Sequence, residues 1–520
     1  VIVEDQSEVL AFLGSPAAHG GAHPVERFST HISEVFLAGS TALKLKRAVR
    51  LPYADFSTPG LRRHFCAREV EVNRRTAPEL YLGLRAITRA ADGALEIDGP
   101  GAVVDWVVAM RRFEQAALFD RMAEAGQLTP QIMEETALAI ARLHRSAEPA
   151  APAALAGAGA GVANIAQVLA VNEAGYAESG VFSDAEQAAT TRAFRAALAQ
   201  HAGRLDRRAR AGSIRRCHGD LHLRNICLSE GRPVLFDALE FSETLATVDV
   251  LYDLAFLVMD LWHRDLAMLA NRVVNRYLDA TGDEGDFALL PFFMALRASV
   301  RAHVIATAAT TAPPGRAAAR AHEARAYHAL ARALLAAAPA RIVAVGGLSG
   351  SGKTTLAEAI GHRIGAPPGA RILASDRLRK AMHGLDPRER LPEAAYAPEV
   401  SAQVYRVLVR RAAALAADGV PVLVDAVFDR PERRAAIEIA AADARVPFSG
   451  LWLDVPPEVL RARVAARRDS VSDAGPSVLA GQIARGAGEV GWRRLPPAPT
   501  PEALVNEAAA ALGLAVQGGR

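Results

Sequence analysis

The sequence predicts a multidomain chain that joins an α+β region to an α/β region, with a parallel sheet confined to its C-terminal third. Three observations carry this. The chain has 520 residues, room for about three units at roughly 100–200 residues each. Beyond about residue 338, strand-like runs alternate with helices, the pattern of a parallel sheet with crossover helices. Before that point, strands and helices mix over residues 1–110, and residues 111–337 read as mostly helical around one short β-rich patch. The expected domains are therefore 1–110, 111–337 and 338–520. No repeat of solenoid type interrupts them.

In chain order, Ser7–Gly14 has helical spacing of apolar residues. His31–Gly39 and Thr41–Arg47 read as two strands joined by a Gly-Ser turn. Cys66–Ala77 reads as an amphipathic helix, and Val103–Phe113 as a strand that then leaves its sheet. Ala147–Asn164, rich in Ala, Gly and Pro, reads as a mobile connection. Ile214–Phe241 is the β-rich patch. Thr311–Arg316 (TAPPGR) breaks a helix, and an Ala-rich helix follows to about Leu335. RIVAVGG, RILAS, PVLVDAVF and FSGLWLDV are the strands expected in the last third.

Hydrophobic residues at 51% and charged residues at 22% are globular proportions, which excludes general disorder. The apolar stretches are Ala-rich and interrupted by charge before the ~20 residues of a membrane span, so no membrane partner is expected. No charged-then-apolar leader opens the chain, so secretion is not expected. Three cysteines, Cys66, Cys217 and Cys227, suit neither a disulfide framework nor a zinc site, and a cytoplasmic location fits them best. Oligomeric state leaves no signal. The net charge of +3 is too small to argue for nucleic acid, but residues 341–520 hold 24 basic and 19 acidic side chains. That balance suits a nucleoside triphosphate and leaves nucleic acid open for this part alone. Of 60 basic residues only four are lysine: Lys44, Lys46, Lys353 and Lys380. Where Arg serves almost everywhere, a retained Lys points to a need for a compact point charge.

Three of the four lie in nucleotide-binding patterns. RIVAVGGLSGSGKTT carries G-x-x-x-x-G-K-T as Gly347, Gly352, Lys353 and Thr354, between a strand and a helix. In such a loop, Gly347, Ser349, Gly350, Ser351, Gly352 and Thr355 cradle phosphates through backbone N–H groups. Lys353 reaches the β- and γ-phosphates of ATP, and Thr354 ligates Mg²⁺. Asp376 and Arg379 follow the next strand with D-x-x-R spacing. Asp376 is placed to take a proton from an acceptor hydroxyl, or simply to cap the next helix. Arg379 is placed to hold the acceptor or the transferring group. Asp425, at another strand end, suits Mg²⁺. Arg463 and Arg467 share one helix face, as either a lid over phosphates or a solvated basic face. This third of the chain resembles the P-loop small-molecule kinases: gluconate and shikimate kinases, polynucleotide kinase and zeta toxin. That implies ATP-dependent transfer to a hydroxyl.

Upstream, Cys217–Leu228 contains H-G-D-x-x-x-x-N as His218, Gly219, Asp220 and Asn225, and Asp237 follows on its own strand. Asp220 is the candidate base, with Asn225 and Asp237 as Mg²⁺ ligands. Lys44 and Lys46, two apart on one strand, face the same way; either can contact phosphates, Lys44 being preferred. Glu69 is preferred over Glu71 as the partner that fixes the lysine. Asp249 and Asp253 are expected to brace the catalytic loop. Arg297 and Arg301, i,i+4 on one helix, are expected on a solvated face, with an anionic substrate as the alternative. With these residues the region from about 25 to 335 resembles the aminoglycoside phosphotransferase and choline kinase branch of the protein-kinase-like fold. The resemblance implies a bilobal fold: an N-lobe over 1–110, a hinge near Asp105–Met110, and a helical C-lobe over 111–337 with the catalytic loop and acceptor pocket. Ser29, Thr30 and Ser33 stand where a protein kinase carries glycines, and Ala-Leu follows Asp237 in place of Phe-Gly, which argues against a protein substrate. The whole chain then reads as two ATP- and Mg²⁺-dependent kinases in one polypeptide, acting on small hydroxyl compounds such as sugars, polyols or aminoglycosides. The alternatives are a P-loop domain acting on nucleic-acid 5′ ends or nucleotide-sugars, or one domain serving as a nucleotide sensor.

Overall fold

The computed structural model describes residues 2–21, 24–51, 54–151, 159–310, 312–336, 338–386, 389–466 and 475–514. They form two compact units, Val1–Asp260 with His303–Ala321 and Leu261–Ala302 with His322–Arg520.

The first unit opens with helix Ser7–Leu13 and a six-stranded antiparallel sheet. Its strands are β1 (Glu26–Ser29), β2 (Ser33–Ala38), β3 (Thr41–Lys46), β4 (Tyr81–Arg89), β5 (Leu95–Ile97) and β6 (Ala102–Arg111). Their spatial order is β1-β2-β3-β6-β4-β5. The Gly39–Ser40 turn sets Val35 opposite Lys44 across β2 and β3. The helix α1 (Pro59–Asn73) begins earlier than its apolar pattern suggests. Thr58 caps it, its hydroxyl accepting from the Leu61 N–H at 3.2 Å, and Pro59 sits in the first turn, where its missing N–H costs nothing. The segment Asp105–Met110, near which a hinge is expected, is strand. It lies wholly inside β6, and Asp105, 1% exposed, is locked to Arg62 at 2.7 Å. The chain leaves the sheet only after Arg111.

Helices Pro130–Ser146, Ala160–Ser179 and Asp184–Arg210 follow. Residues 152–158 of the expected connection lie outside the described residues, and from Ala160 the chain is already helical. The β-rich patch is a hairpin, β7 (Ile226–Ser229) with β8 (Arg232–Leu235), beside a two-stranded pair of Ile214–Arg216 and Thr247–Asp249. Next come α2 (Val250–His263) and α3 (Ala267–Thr281). Helices Leu290–Thr310 and Pro314–Leu334 flank the expected break; Thr311 is outside the described residues. Phe287–Thr310 has a mean hydropathy of 1.4 and is long and apolar enough to cross a membrane, contrary to the expectation of interrupted runs. However, 72% of its most apolar stretch is buried in protein, as in a core helix. Arg297 on it is 4% exposed rather than solvated.

In the second unit five parallel strands form one sheet: β9 (Ile342–Gly346), β10 (Arg371–Ala374), β11 (Val422–Asp425), β12 (Phe448–Leu453) and β13 (Arg493–Leu495). The order is β10-β11-β9-β12-β13, with β10 at one edge. Buried Val343, Val345, Leu423 and Leu451 pack against Leu356 and Ile360 of α4 (Lys353–Ile360). β13, three residues with only Leu495 buried, is too short and polar to announce itself as a strand. α5 (Ser375–Met382) and α6 (Pro457–Ala466) complete the elements that bear on function. A parallel sheet with crossover helices thus follows the α+β unit, the architecture expected.

Candidate active sites

In the first unit, strand alternation turns Lys44 and Lys46 to one face of β3, and α1 lays Glu69 across both. Lys44 Nζ lies 2.8 Å from Glu69 Oε1 and 2.6 Å from Asp237 Oδ1. Lys46 Nζ lies 2.7 Å from Glu69 Oε2 and pairs also with Glu240. Glu69 and Lys46 are 0% exposed. Burial pushes the Glu69 carboxyl up, but two ammonium groups outweigh it and hold it at about 2. Glu240 is also buried, with Lys46 as its main cation and the Glu69 carboxylate against it, so burial prevails and its pKa is raised. Burial works against the Lys44 ammonium, yet Asp237 and Glu69 keep its pKa well above the ordinary value. Glu71 is not part of this group; it pairs with Arg68 on the surface.

The loop from His218 to Asn225 is braced by α2. Asp253, fully buried on α2, accepts from the His218 N–H at 3.1 Å, the Gly219 N–H at 2.8 Å and the His144 ring at 3.0 Å. Asp249 instead takes Arg208 through both oxygens, at 2.7 and 2.9 Å. Asn225 Nδ2 donates to the Asp220 carbonyl and to Asp220 Oδ2, both at 2.8 Å. That orients the Asp220 carboxylate and leaves Asn225 Oδ1 as an acceptor. Asp237 has φ +59, strained for a non-glycine residue. Its N–H donates to the Tyr81 hydroxyl at 3.1 Å, and the next N–H donates to Asn73 Oδ1 at 2.8 Å. Asn225 Oδ1 and the Asp237 carboxylate are both oxygen donors, the ligand type that suits a hard divalent cation. At the β1–β2 tip, side-chain hydroxyls stand in for glycines: the Ser33 N–H donates to Thr30 Oγ1 at 2.9 Å, and Ser29 bonds Glu34.

In the second unit the phosphate loop opens α4. Gly350 and Gly352 take φ +89 and +94, conformations that a side chain strains, and Gly352 forms the N-terminal cap of α4. Ser349, Gly350, Gly352, Lys353, Thr354 and Thr355 line an open cavity of ≈ 340 Å³. Gly347 and Ser351 shape the loop behind it: the Gly347 N–H donates to the Val427 carbonyl at 3.1 Å and the Ser351 N–H to the Leu348 carbonyl at 3.1 Å. Thr354 Oγ1 donates to Asp425 Oδ2 at 2.6 Å. Burial raises the Asp425 pKa to about 6 against the pull of Lys353. The Thr354 hydroxyl and the Asp425 carboxylate, both oxygen donors, fit a divalent cation by their chemistry. Lys353 Nζ rests on the Leu348 carbonyl at 3.1 Å.

Asp376 and Arg379 line the same cavity. β10 ends at Ala374, so Asp376 lies in the first turn of α5 rather than on the strand. Arg379, 5% exposed, donates to the Ala395 carbonyl at 2.6 Å and lies over the Tyr396 ring at 4.9 Å. Arg463 is exposed on α6 and is not among the cavity's lining residues; Arg467 lies outside the described residues. Beside Arg379, the arginines on the wall are Arg430, Arg433 and Arg485. Arg433 and Arg485 grip Asp429 at 2.8 and 3.3 Å, and Arg433 stacks 4.0 Å over Tyr405. These residues and Glu240 were missed from sequence. The signal for Glu240 was two lysines on one face with a single acid to neutralise them; in a chain so rich in arginine, nothing marked the other three.

Residues 64–290 match the phosphotransferase enzyme family and residues 342–487 an AAA domain. An uncharacterized protein of Mycobacterium tuberculosis is 30% identical over 492 residues, covering 91% of this chain and 94% of its own. A Mycobacterium bovis protein matches equally. Among solved structures, a sugar kinase from Janibacter is 24% identical over 34% of this chain and 96% of its own, TM-score 0.25. A choline/ethanolamine kinase family protein from Mesorhizobium loti is 17% identical over 64% of this chain and 98% of its own, TM-score 0.35. With nearly its whole length matched to the mycobacterial proteins, the chain belongs to their family, a phosphotransferase enzyme in which an aminoglycoside-phosphotransferase-type domain precedes a P-loop kinase domain.

Proposed function

We propose that each unit transfers the γ-phosphoryl group of ATP, with Mg²⁺, to a hydroxyl of a small molecule such as a sugar, a polyol or an aminoglycoside-like compound. The observation that carries this is that each unit holds a lysine, a pair of oxygen ligands and a second carboxylate. In the first unit Lys44 meets Asp237 and Asn225 orients Asp220, with Asn225 and Asp237 as the oxygen pair; in the other, Lys353, the Thr354–Asp425 pair and Asp376 line one cavity. The lysine steadies the phosphates and the oxygen pair holds Mg²⁺, which supplies charge neutralisation when bound. Asp220 or Asp376 accepts the acceptor's proton as its oxygen bonds to Pγ and the bond from Pγ to the β-phosphate oxygen breaks, releasing ADP. A metabolite-library screen with ATP on wild type, Lys353→Ala and Asp220→Ala tests this. Each variant should abolish transfer to its own acceptor. If either leaves all transfer and ATP hydrolysis unchanged, that domain is a sensor rather than a catalyst.

The cavity's five cations, Lys353, Arg379, Arg430, Arg433 and Arg485, against three acids, Asp376, Asp425 and Asp429, favour a second reading for the P-loop unit alone. Its acceptor would then be polyanionic, a nucleic-acid 5′ end or a nucleotide-sugar. Oligonucleotide affinity that falls steeply with salt supports it; no binding at low salt removes it.

A further inference from the structure

β10 is an edge of the parallel sheet, and a strand edge presents unpaired backbone groups that must be covered. In the second unit, side chains of α3 take the place of a neighbouring strand. Asn275 Oδ1 accepts from the Ile372 N–H at 2.7 Å, and its Nδ2 donates to the Ala370 carbonyl at 3.2 Å. Asn271 Nδ2 donates to the Pro368 and Ala370 carbonyls at 2.8 and 3.0 Å. Both amides are buried.

Charges continue the pattern. Arg371, the first residue of β10 and 1% exposed, meets Asp279 at 2.6 Å, Glu284 at 3.0 Å and Asn275 Oδ1 at 2.9 Å. Glu284 also takes Arg411 at 2.6 Å. Burial pushes the Asp279 carboxyl up, but Arg371, Arg276 and Arg377 hold it below the ordinary value. Arg272 and Arg276 reach Glu358 at 2.7 and 2.9 Å, and Glu358 stands one turn beyond Thr354 on α4. Arg377, next to Asp376, lies 4.0 Å from Asp279 and 3.8 Å from Glu358. Packing alone would be served by apolar side chains. Here the contacts are directed at the backbone of one strand and at residues flanking the P-loop site.

We propose that Asn271, Asn275, Asp279 and Glu284 are positioning residues of the P-loop site, holding β10 and thereby the corner that carries Asp376 and Arg379. This rests on reading that unit as a kinase, and on it the working P-loop unit begins at α3, not at residue 338. The test is hydrogen exchange on the full chain, followed by mass spectrometry, with Mg·ATP binding measured by calorimetry. Asn275→Leu and Asp279→Asn are expected to speed exchange over residues 371–382 at least ten-fold. β9 and β11 should stay within two-fold, and Mg·ATP affinity within three-fold. Asp279→Glu, which keeps the charge, should restore most of the protection. Should Asp279→Asn fail to fold, Asn275→Asp replaces it: it keeps the acceptor for Ile372 and Arg371, loses the donor to Ala370, and should speed exchange over 371–382 two- to five-fold. Unchanged exchange over 371–382 overturns the proposal, as does acceleration spread equally through β9 and β11 or no rescue by Asp279→Glu. Absence of Mg·ATP binding by wild type would defeat the kinase reading instead, leaving the exchange result to stand separately.

Discussion

Replacing Glu69 by Gln keeps the shape of the side chain and removes the charge that two buried ammonium groups share. Lys44 and Lys46 would keep Asp237 and Glu240, but each would lose a partner at 2.8 or 2.7 Å in a place with no solvent exposure at Glu69. The Glu69 carboxyl is held at about 2 against an ordinary 4.5. At about 1.4 kcal/mol for each tenfold, that difference corresponds to about 3 kcal/mol. The typical cost of removing one partner from a buried ion pair, about 3–5 kcal/mol, agrees. Because the folded group titrates below the unfolded one, its contribution is complete above about pH 4.5 and disappears as the pH falls toward 2. Hydrogen exchange over β2 and β3 measures it. At pH 7 the Glu69→Gln chain should lose protection there on the order of 10²-fold relative to wild type, and the deficit should shrink below pH 4.5. Protection within three-fold of wild type at pH 7 would refute the claim that Glu69 holds the two lysines.

Asp425→Asn should stabilise the second unit by up to about 3 kcal/mol at pH 7 in the absence of nucleotide. The raised carboxyl favours the protonated folded form, so wild-type stability falls as pH rises from 3.8 through about 6. Calorimetric unfolding at pH 5 and pH 7 checks this, and the same variant should lose P-loop transfer. Asp253→Ala leaves three buried donors, from His218, Gly219 and His144, at about 1–3 kcal/mol each. It should lower the first unit's thermal midpoint and abolish transfer there, while Mg·ATP binding to the P-loop is kept. Arg485→Ala should weaken Mg·ATP binding or transfer at the P-loop site at least five-fold, whereas Arg463→Ala, on the exposed face of α6, should leave both within two-fold in steady-state assays.

Much of each site was legible because its chemistry is written locally. The phosphate loop lies within nine residues, and the run from His218 to Asp237 puts the first unit's loop and strand in order. Lys44, Glu69 and Asp237 can be grouped from pattern, and the structure sets both carboxylates within 2.8 Å of the Lys44 ammonium. Long-range pairings were not legible. Asn275 and Ile372 are 97 residues apart, and no periodicity shows that a helix in the middle of the chain will cover a strand edge in its last third. Glu240 resembles an ordinary surface acid until Lys46 is seen to be fully buried. The strand run RILAS extends one residue past the observed end of β10 at Ala374, so the sequence sets Asp376 at a strand end where the structure has the first turn of α5. Likeness alone suggests a hinge near Asp105–Met110, and no pattern shows that this segment is strand with Asp105 joined to Arg62 of α1.

The burial of the lysines has an experimental use. Lys46 and Lys380 are 0% exposed, and Lys44 is tied to two carboxylates, whereas Lys353 stands in an open cavity. Among the four lysine side chains, an amine-selective label applied to the folded protein will therefore concentrate on Lys353, and on the proposed function nucleotide would shield it. The scarcity of ammonium groups makes this enzyme its own occupancy probe, readable by mass without any engineered tag.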